Sequence, residues 1–155
     1  MKWCFDTSAF IEPWVRRYPP DLFEPVWERL AELTEAGVIV APADVLLELG
    51  KQKDDLHDWV SGNASTVFLQ PDRAVLEVYA DIVNAHPGFM KVNSTKSGAD
   101  PFVVALAQVH GLVVVTYETQ AKANALSPKI PDVCAARGLK CADLVDVLRA
   151  EGFKA

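Results

Sequence analysis

The sequence predicts an α/β fold, a single-domain α/β/α sandwich with a central parallel sheet, over residues 1–155. Short apolar runs alternate with segments of helical periodicity along the whole chain, which is typical of parallel sheets. Residues 113–116 form a continuous β-branched run, as expected of a strand buried on both faces. A length of 155 residues suits one domain.

Four apolar runs predict the strands. The third is the weakest and the last is the strongest, and each ends close to polar residues that can turn the chain. The strands are expected at residues 2–5, 38–41, 67–69 and 113–116.

Capping residues, apolar periodicity and chain breakers predict the helices between these strands. Apolar side chains recur every three or four residues, and proline or glycine marks several helix ends. In chain order the helices are expected at residues 8–12, 25–35, 42–49, 54–62, 72–84, 99–110, 132–137 and 144–150. Pro13 should limit the first helix. Residues 88–98 and 117–129 are expected to be loops, and residues 139–141 a link to the last helix.

Composition narrows the classes of function. A formal charge of −6 argues against broad electrostatic attraction to nucleic acid, although bound cations can still bring a phosphate to an acidic site. The histidines make no two-histidine ligand spacing, which argues against a zinc site. Cys4, Cys134 and Cys141 form no CxxC pair and are expected to be buried free thiols. No apolar run is long enough for a membrane span, and no secretory signal precedes the first strand, so we expect a cytoplasmic protein.

Four acidic residues are the main candidates for chemistry: Asp6, Glu48, Asp100 and Glu118. Asp6 and Glu118 follow predicted strands, so both should lie at the carboxyl edge of the sheet, where open parallel sheets bind ligands. Carboxylates gathered from remote parts of a chain repel one another unless a divalent cation lies between them. If the four converge, the sequence predicts a metal-dependent hydrolase of phosphate esters.

Each of these positions also has a structural alternative. Asp6 opens a helix and can be an ordinary cap, and Asp100 precedes a proline in the same way. Glu48 borders apolar residues and should be paired or metal-bound unless it reaches solvent. Asp44 lies one turn before Glu48 and could share a cation with it or serve the helix N-terminus.

The order of these residues resembles a known family. Asp6-Thr7-Ser8, Glu48-Leu49, Ala99-Asp100-Pro101 and Val115-Thr116-x-Glu118 together are similar to the PIN domain, from residue 3 to about residue 148. PIN domains are small metal-dependent ribonucleases, and many are toxins of toxin–antitoxin pairs. Residues 129–134 and the proline-rich early loop resemble one poorly characterised PIN-like branch.

The resemblance implies a Mg²⁺- or Mn²⁺-dependent endoribonuclease that hydrolyses RNA phosphodiester bonds and is the toxin of a toxin–antitoxin pair. Asp6, Glu48 and Asp100 match the acidic positions, and Glu118 stands where the family usually has aspartate. Thr116 and Ser8 match hydroxyl positions that orient the carboxylates or contact the phosphate. The implied partners are RNA, an antitoxin protein and a second copy of the chain in a homodimer. The basic side chains expected to guide RNA are Lys96, Lys91, Arg16 and Arg17.

Two other functions fit the same residues. One is a catalytically inactive PIN-like module for binding or regulation, which the acidic charge and Glu118 in place of aspartate motivate. The other is a phosphoaspartyl enzyme that uses Asp6 as the nucleophile. Asp132 has no counterpart in the family pattern and is expected to cap a helix.

Overall fold

The computed structural model describes residues 1–52, 54–90 and 98–155, and in these residues strands and helices alternate as predicted. The strands are Trp3–Phe5 (β1), Ile39–Pro42 (β2), Phe68–Leu69 (β3), Val113–Val115 (β4) and Cys141–Ala142 (β5). The helices are Thr7–Glu12 (α1), Glu24–Glu35 (α2), Ala43–Leu49 (α3), Asp55–Asn63 (α4), Arg73–Ala85 (α5), Ala99–His110 (α6), Ile130–Ala136 (α7) and Leu144–Ala150 (α8). A π-helical turn, Pro13–Arg17, follows α1 directly.

The five strands form one parallel sheet in the order β3-β2-β1-β4-β5. In the centre, Cys4 of β1 lies beside Val40 of β2 and Val114 of β4. All three residues of β1 and all four of β2 are buried, as expected of parallel strands covered on both faces. The predicted α/β sandwich with a central parallel sheet is confirmed.

Helix α6 is the main covering layer of the central strands. It packs against β1, β2 and β4, and α5 packs against α6 in turn. Seven of its twelve residues are buried, which explains its strongly apolar sequence. Gly111 ends the helix in a left-handed conformation (φ 66°), which glycine adopts without steric cost, and β4 starts two residues later.

The sequence did not predict β5. This strand is only two residues long and contains no apolar run, so nothing in the sequence distinguishes it from a loop. Its backbone partners define it: Val114 N donates to Lys140 O and Thr116 N donates to Ala142 O. Because the strand lies at the sheet edge, Cys141 is exposed, and the prediction that all three thiols are buried is wrong for this one.

Helix α1 ends at Glu12, directly before Pro13, as predicted, but the helical segment as a whole does not stop there. The chain continues through the π-helical turn, and Tyr18 N donates to Pro13 O over 2.7 Å, which is the i to i+5 spacing of a π-helix. Proline lacks a backbone donor and crowds the preceding turn, and the wider π-helical turn relieves the crowding. The consequence is that Arg16 and Arg17 lie at the end of a continuous helical segment that begins beside Asp6.

Other boundaries differ from the prediction by one or two residues. Pro42 ends β2 instead of opening α3, and α7 starts at Ile130, ahead of the predicted start. Residues 91–97 of the predicted loop lie outside the described residues. Within the described part of the chain, the helices all fall short of the length and apolarity that crossing a membrane requires.

Candidate active site

Asp6 lies at the carboxyl edge of the two central strands. β1 ends at Phe5, and Asp6 N donates to Val115 O of β4 over 3.1 Å, which ties the residue to both strands. Its side chain is the N-cap of α1, since Oδ1 accepts from Ala9 N over 2.8 Å. The capping role predicted as an alternative is therefore realised.

Two hydroxyls also hold the Asp6 carboxylate. Ser8 Oγ donates to Oδ1 over 2.7 Å, and Thr116 Oγ1 donates to Oδ2 over 2.5 Å. The same hydroxyls accept from the backbone beyond β4: Ser8 Oγ from Tyr117 N and Thr116 Oγ1 from Glu118 N. Ser8 and Thr116 thus orient Asp6, and they join the start of α1 to the segment after β4.

Burial changes the acidity of Asp6. The residue is only 2% exposed, and this burial raises the pKa of its carboxyl from 3.8 to about 7. The hydrogen bonds from Thr116, Ser8 and Ala9 lower the pKa, and the charge of Glu118 raises it further. Desolvation outweighs three favourable hydrogen bonds, so Asp6 changes its charge close to neutral pH unless a cation stabilises the anion.

Thr7 fixes the second carboxylate. Its Oγ1 donates to Glu48 Oε2 over 2.9 Å, which joins α1 to α3. Both side chains are partly exposed, so Glu48 borders the core without being enclosed by it. Asp44, one turn earlier on α3, has a raised pKa because of burial and, secondly, the charge of Glu48. The two carboxylates of α3 therefore repel each other.

A helix N-terminus holds the carboxylate of Glu118. Ile130 N, at the first residue of α7, donates to Glu118 Oε2 over 3.2 Å. Asp132 accepts from Lys129 N and from Ala121 N, so it stabilises the start of α7 and the preceding loop, as its predicted capping role requires. Glu118 is longer than the aspartate usual in the pattern that this sequence resembles, and its carboxylate is held by a backbone donor outside the sheet.

Asp100 is the second residue of α6 and is not its N-cap. Gly98 occupies the N-cap position and makes no side-chain capping bond. A carboxylate in the first turn still interacts favourably with the helix dipole. The N-terminal end of α6 borders the cavity that Asp6 also lines, and Asp100 therefore lies near the other acidic residues.

The four predicted carboxylates share one cavity of about 250 Å³, which we name the acidic cavity. Asp6, Glu48, Asp100 and Glu118 line it together with Thr7, Ser8, Ile11 and Glu12. These residues come from the turn after β1 and from α1, α3, α6 and the segment after β4. Segments up to 112 residues apart in sequence therefore supply one acidic surface.

The chain matches the model of a family described as a domain of unknown function, DUF4411, over residues 3–155. It belongs to this family. No curated protein matches it. Among solved structures, FitAcB from Neisseria gonorrhoeae is similar with a TM-score of 0.54 and 20% identity, covering 92% of this chain and 98% of that one. A structure of FitAB bound to an IR36 DNA fragment is similar with a TM-score of 0.52 and 19% identity, covering 92% and 94%. At these identities the likeness shows the fold alone.

The DUF4411 chain offers a donor set suited to a hard cation, because carboxylate oxygens are the ligands that Mg²⁺ and Mn²⁺ prefer. Asp6 accepts three hydrogen bonds, and a carboxylate has about four acceptor positions, so one remains for a ligand. Within residues 1–52, 54–90 and 98–155, however, no three His, Cys, Asp or Glu side chains are close enough to hold one ion as they stand. Unscreened carboxylates repel one another, which is consistent with this spread.

Sequence reasoning missed Glu12 and Thr7 of the DUF4411 chain. Glu12 lines the acidic cavity and lies four residues after Ser8, on the same face of α1, so its helical spacing was the available signal. Thr7 stands within the motif that carried the family resemblance, but only its contact with Glu48 reveals what its hydroxyl does.

Of the four basic residues predicted to guide RNA, the structure describes the two arginines. Arg16 Nη1 and Arg17 Nε lie 3.8 and 3.9 Å from Glu12 Oε1, at the rim of the acidic cavity. The Arg17 guanidinium also lies over the Tyr117 ring, 4.5 Å from its centroid, next to Glu118 in the chain. Lys91 and Lys96 lie outside the described residues.

Proposed function

We propose that this DUF4411 protein is a PIN-like, Mg²⁺- or Mn²⁺-dependent endoribonuclease, the toxin of a toxin–antitoxin pair. One observation carries the proposal: four carboxylates from separate elements line a single cavity at the carboxyl edge of the sheet. Structural ion pairs do not explain why Asp6, Glu48 and Glu118 lie together, because none of the salt bridges between described residues involves these three. Clusters of like charge at a sheet edge are typical of functional sites.

Asp6, Glu48, Asp100 and Glu118 would hold the cation, which when bound lowers the pKa of water and offsets charge on the phosphate. The chain's own residues prepare this site. Thr116 and Ser8 fix the rotamer of Asp6, and Thr7 fixes that of Glu48. Such hydrogen bonds orient ligating carboxylates and support metal affinity.

Arg17 would bind the substrate at the rim of the site. Its guanidinium is held between Glu12 and the face of Tyr117, so its planar donor group has a defined orientation. Arginine in such a position binds phosphate through two parallel hydrogen bonds. A local cation of this kind allows an acidic protein of charge −6 to bind RNA at one place.

The proposed partners are an antitoxin and a second copy of the chain. The similarity to FitAB, which was solved bound to a DNA fragment, supports a role within a larger assembly for this chain as well. Light scattering of the purified protein, alone and with the product of an adjacent gene, tests both partners. A monomer that captures no such product would contradict them.

The nuclease proposal is tested by two substitutions that remove cavity carboxylates. Asp6→Ala and Asp100→Ala should each abolish Mn²⁺-dependent cleavage of RNA while far-ultraviolet circular dichroism stays that of the parent. Asp21→Ala, which removes an exposed carboxylate in a turn, is the matched control and should cleave normally. Full activity in either cavity variant would contradict the proposal.

A binding or regulatory module without catalysis is the second candidate. The observation that favours it is the separation of the carboxylates, since no three of the described acidic, histidine or cysteine side chains form a metal site as they stand. Calorimetry distinguishes the two candidates. Mn²⁺ binding that Asp6→Ala abolishes supports the nuclease, and no heat of binding at millimolar Mn²⁺ supports the module.

A further inference from the structure

A second cavity of about 310 Å³ adjoins the acidic cavity, and we name it the side cavity. Thr7, Ile11 and Glu48 line both cavities. The hydrogen bond from Thr7 to Glu48 therefore lies on the wall that the two have in common. A molecule that reaches the carboxylates can extend into the side cavity without leaving the surface.

The side cavity has an apolar floor and an exposed apolar rim. Leu49 and Leu56 are 4% and 3% exposed and form the floor, whereas Val15 is 60% exposed at the rim. Ile11, between the two cavities, is 41% exposed. Apolar side chains left exposed around one concave surface indicate a binding site. Gln52 adds an exposed amide to the lining, which can both donate and accept a hydrogen bond.

We infer that the side cavity binds the base of the nucleotide next to the scissile phosphate of a single-stranded RNA. This inference rests on the proposed nuclease function and names the form of its substrate. A phosphate within an RNA strand carries a nucleoside on either side, and the cavity joined to the acidic cavity offers space for one of the two bases. A volume of about 310 Å³ lies at the lower end of the range of about 300–1,000 Å³ for ligand pockets, which suits one planar ring system.

The lining also fits a base better than it fits another part of RNA. The apolar floor matches the flat face of a base, and the Gln52 amide offers a donor and an acceptor to the base edge without requiring one particular base. The charged side chains of the lining are two acidic ones, Glu48 and Asp54, and one basic one, Lys51, and this excess of negative charge disfavours a phosphate there. A base can enter only if it is unstacked and unpaired, so the substrate is a single strand.

The test blocks the cavity at a residue that does not line the acidic cavity. Val15→Trp fills the rim, and its exposure makes the substitution compatible with the fold. Leu76→Trp, at a partly exposed apolar position on α5, is the matched control. The substrates are a labelled RNA 12-mer with one mapped cleavage site, its fully paired duplex, and two single strands in which the nucleotide before or after that site is abasic.

Val15→Trp should lower kcat/KM on the intact single strand about 10-fold, the scale of a lost apolar pocket contact. Calorimetric Mn²⁺ affinity and the activity of Leu76→Trp should stay at the parent value. With the parent protein, kcat/KM on one of the two abasic strands should be about 10-fold lower than on the intact strand. Val15→Trp should lower kcat/KM on that abasic strand almost no further, because both changes remove the same contact. The duplex should resist cleavage.

The possible outcomes distinguish a failure of the base-binding inference from a failure of the nuclease proposal. Equal cleavage by Val15→Trp and parent, with equal abasic effects, overturns the base-binding inference and leaves the nuclease intact. Loss of binding to a protein partner with unchanged RNA cleavage assigns the cavity to polypeptide and overturns it too. No cleavage or binding of any of these RNAs by the parent protein overturns both proposals.

Discussion

The buried Asp6 carboxyl should make the metal-free protein lose stability as pH rises. A carboxyl whose pKa is about 7 in the folded state keeps its proton between pH 4 and 7, whereas the unfolded chain releases it near 3.8. The folded state binds more protons in this window, so the free energy of unfolding falls with rising pH. A pKa difference of about three units corresponds to about 4 kcal/mol.

Asp6→Asn isolates this contribution from all the other titrating groups. Asparagine retains an oxygen that can accept from Ala9 N and cannot ionise, so the cap remains and the pH dependence of the position disappears. Between pH 3.5 and pH 8, the free energy of unfolding of the variant should rise by about 4 kcal/mol relative to that of the parent. The same substitution removes the carboxylate that we place at the centre of the metal site, so stability and activity should change in opposite directions.

Urea unfolding in the presence of chelator measures the effect, with tryptophan fluorescence as the signal, since the chain has four tryptophans. Parent and variant are compared at several pH values, and only the difference between them is used. If the difference between the two free energies of unfolding stays constant within about 1 kcal/mol from pH 3.5 to 8, the reasoning about burial is refuted. At pH 8, Mn²⁺ at 100 times its Kd should stabilise the parent by about 2.7 kcal/mol and leave the variant unchanged.

Three further outcomes follow from single contacts. Thr7→Val removes the hydroxyl that holds Glu48, so calorimetric Mn²⁺ affinity should fall about 10-fold with circular dichroism unchanged; parent affinity would contradict the contact. Arg17→Gln should weaken RNA binding and lower the slope of log K against log salt by about 1, and an unchanged slope would exclude a phosphate contact. Mass spectrometry after brief iodoacetamide treatment should find only Cys141 alkylated. Cys141 is exposed, and a hydrogen bond from Cys134 lowers the pKa of the Cys141 thiol. Rapid labelling of all three thiols would contradict the burial of Cys4 and Cys134.

The fold could be predicted where sequence pattern and burial coincide. α6 is apolar on nearly every face because it lies between the sheet and α5, and β4 is β-branched because it is buried on both sides. The order of strands in the sheet depends on how crossovers pack and has no local signal in the sequence. β5 is the extreme case, since its two residues are a strand only because β4 provides partners.

The candidate site was predictable in its residues and less so in its geometry. Because Asp6 and Glu118 follow predicted strands, both were expected at one edge of the sheet. In the structure both line the acidic cavity. Glu12 was missed although the predicted helix at residues 8–12 contains it, because its spacing from Ser8 was not used. The π-helical turn after Pro13 was not predicted, so the proximity of Arg17 to Tyr117 was missed as well.

Sequence reasoning treated capping and metal binding as competing roles for Asp6, and the structure shows why they are compatible. The cap bond from Ala9 N uses one acceptor position of Oδ1, and the two hydroxyl bonds use two more. The cap therefore fixes the side chain in one rotamer while leaving acceptor capacity for a ligand. A carboxylate oriented in this way loses little conformational entropy when it binds a cation. A helix N-terminus that follows a central strand is thus a physically favourable place for a ligating aspartate, because the fold has already oriented and buried its side chain.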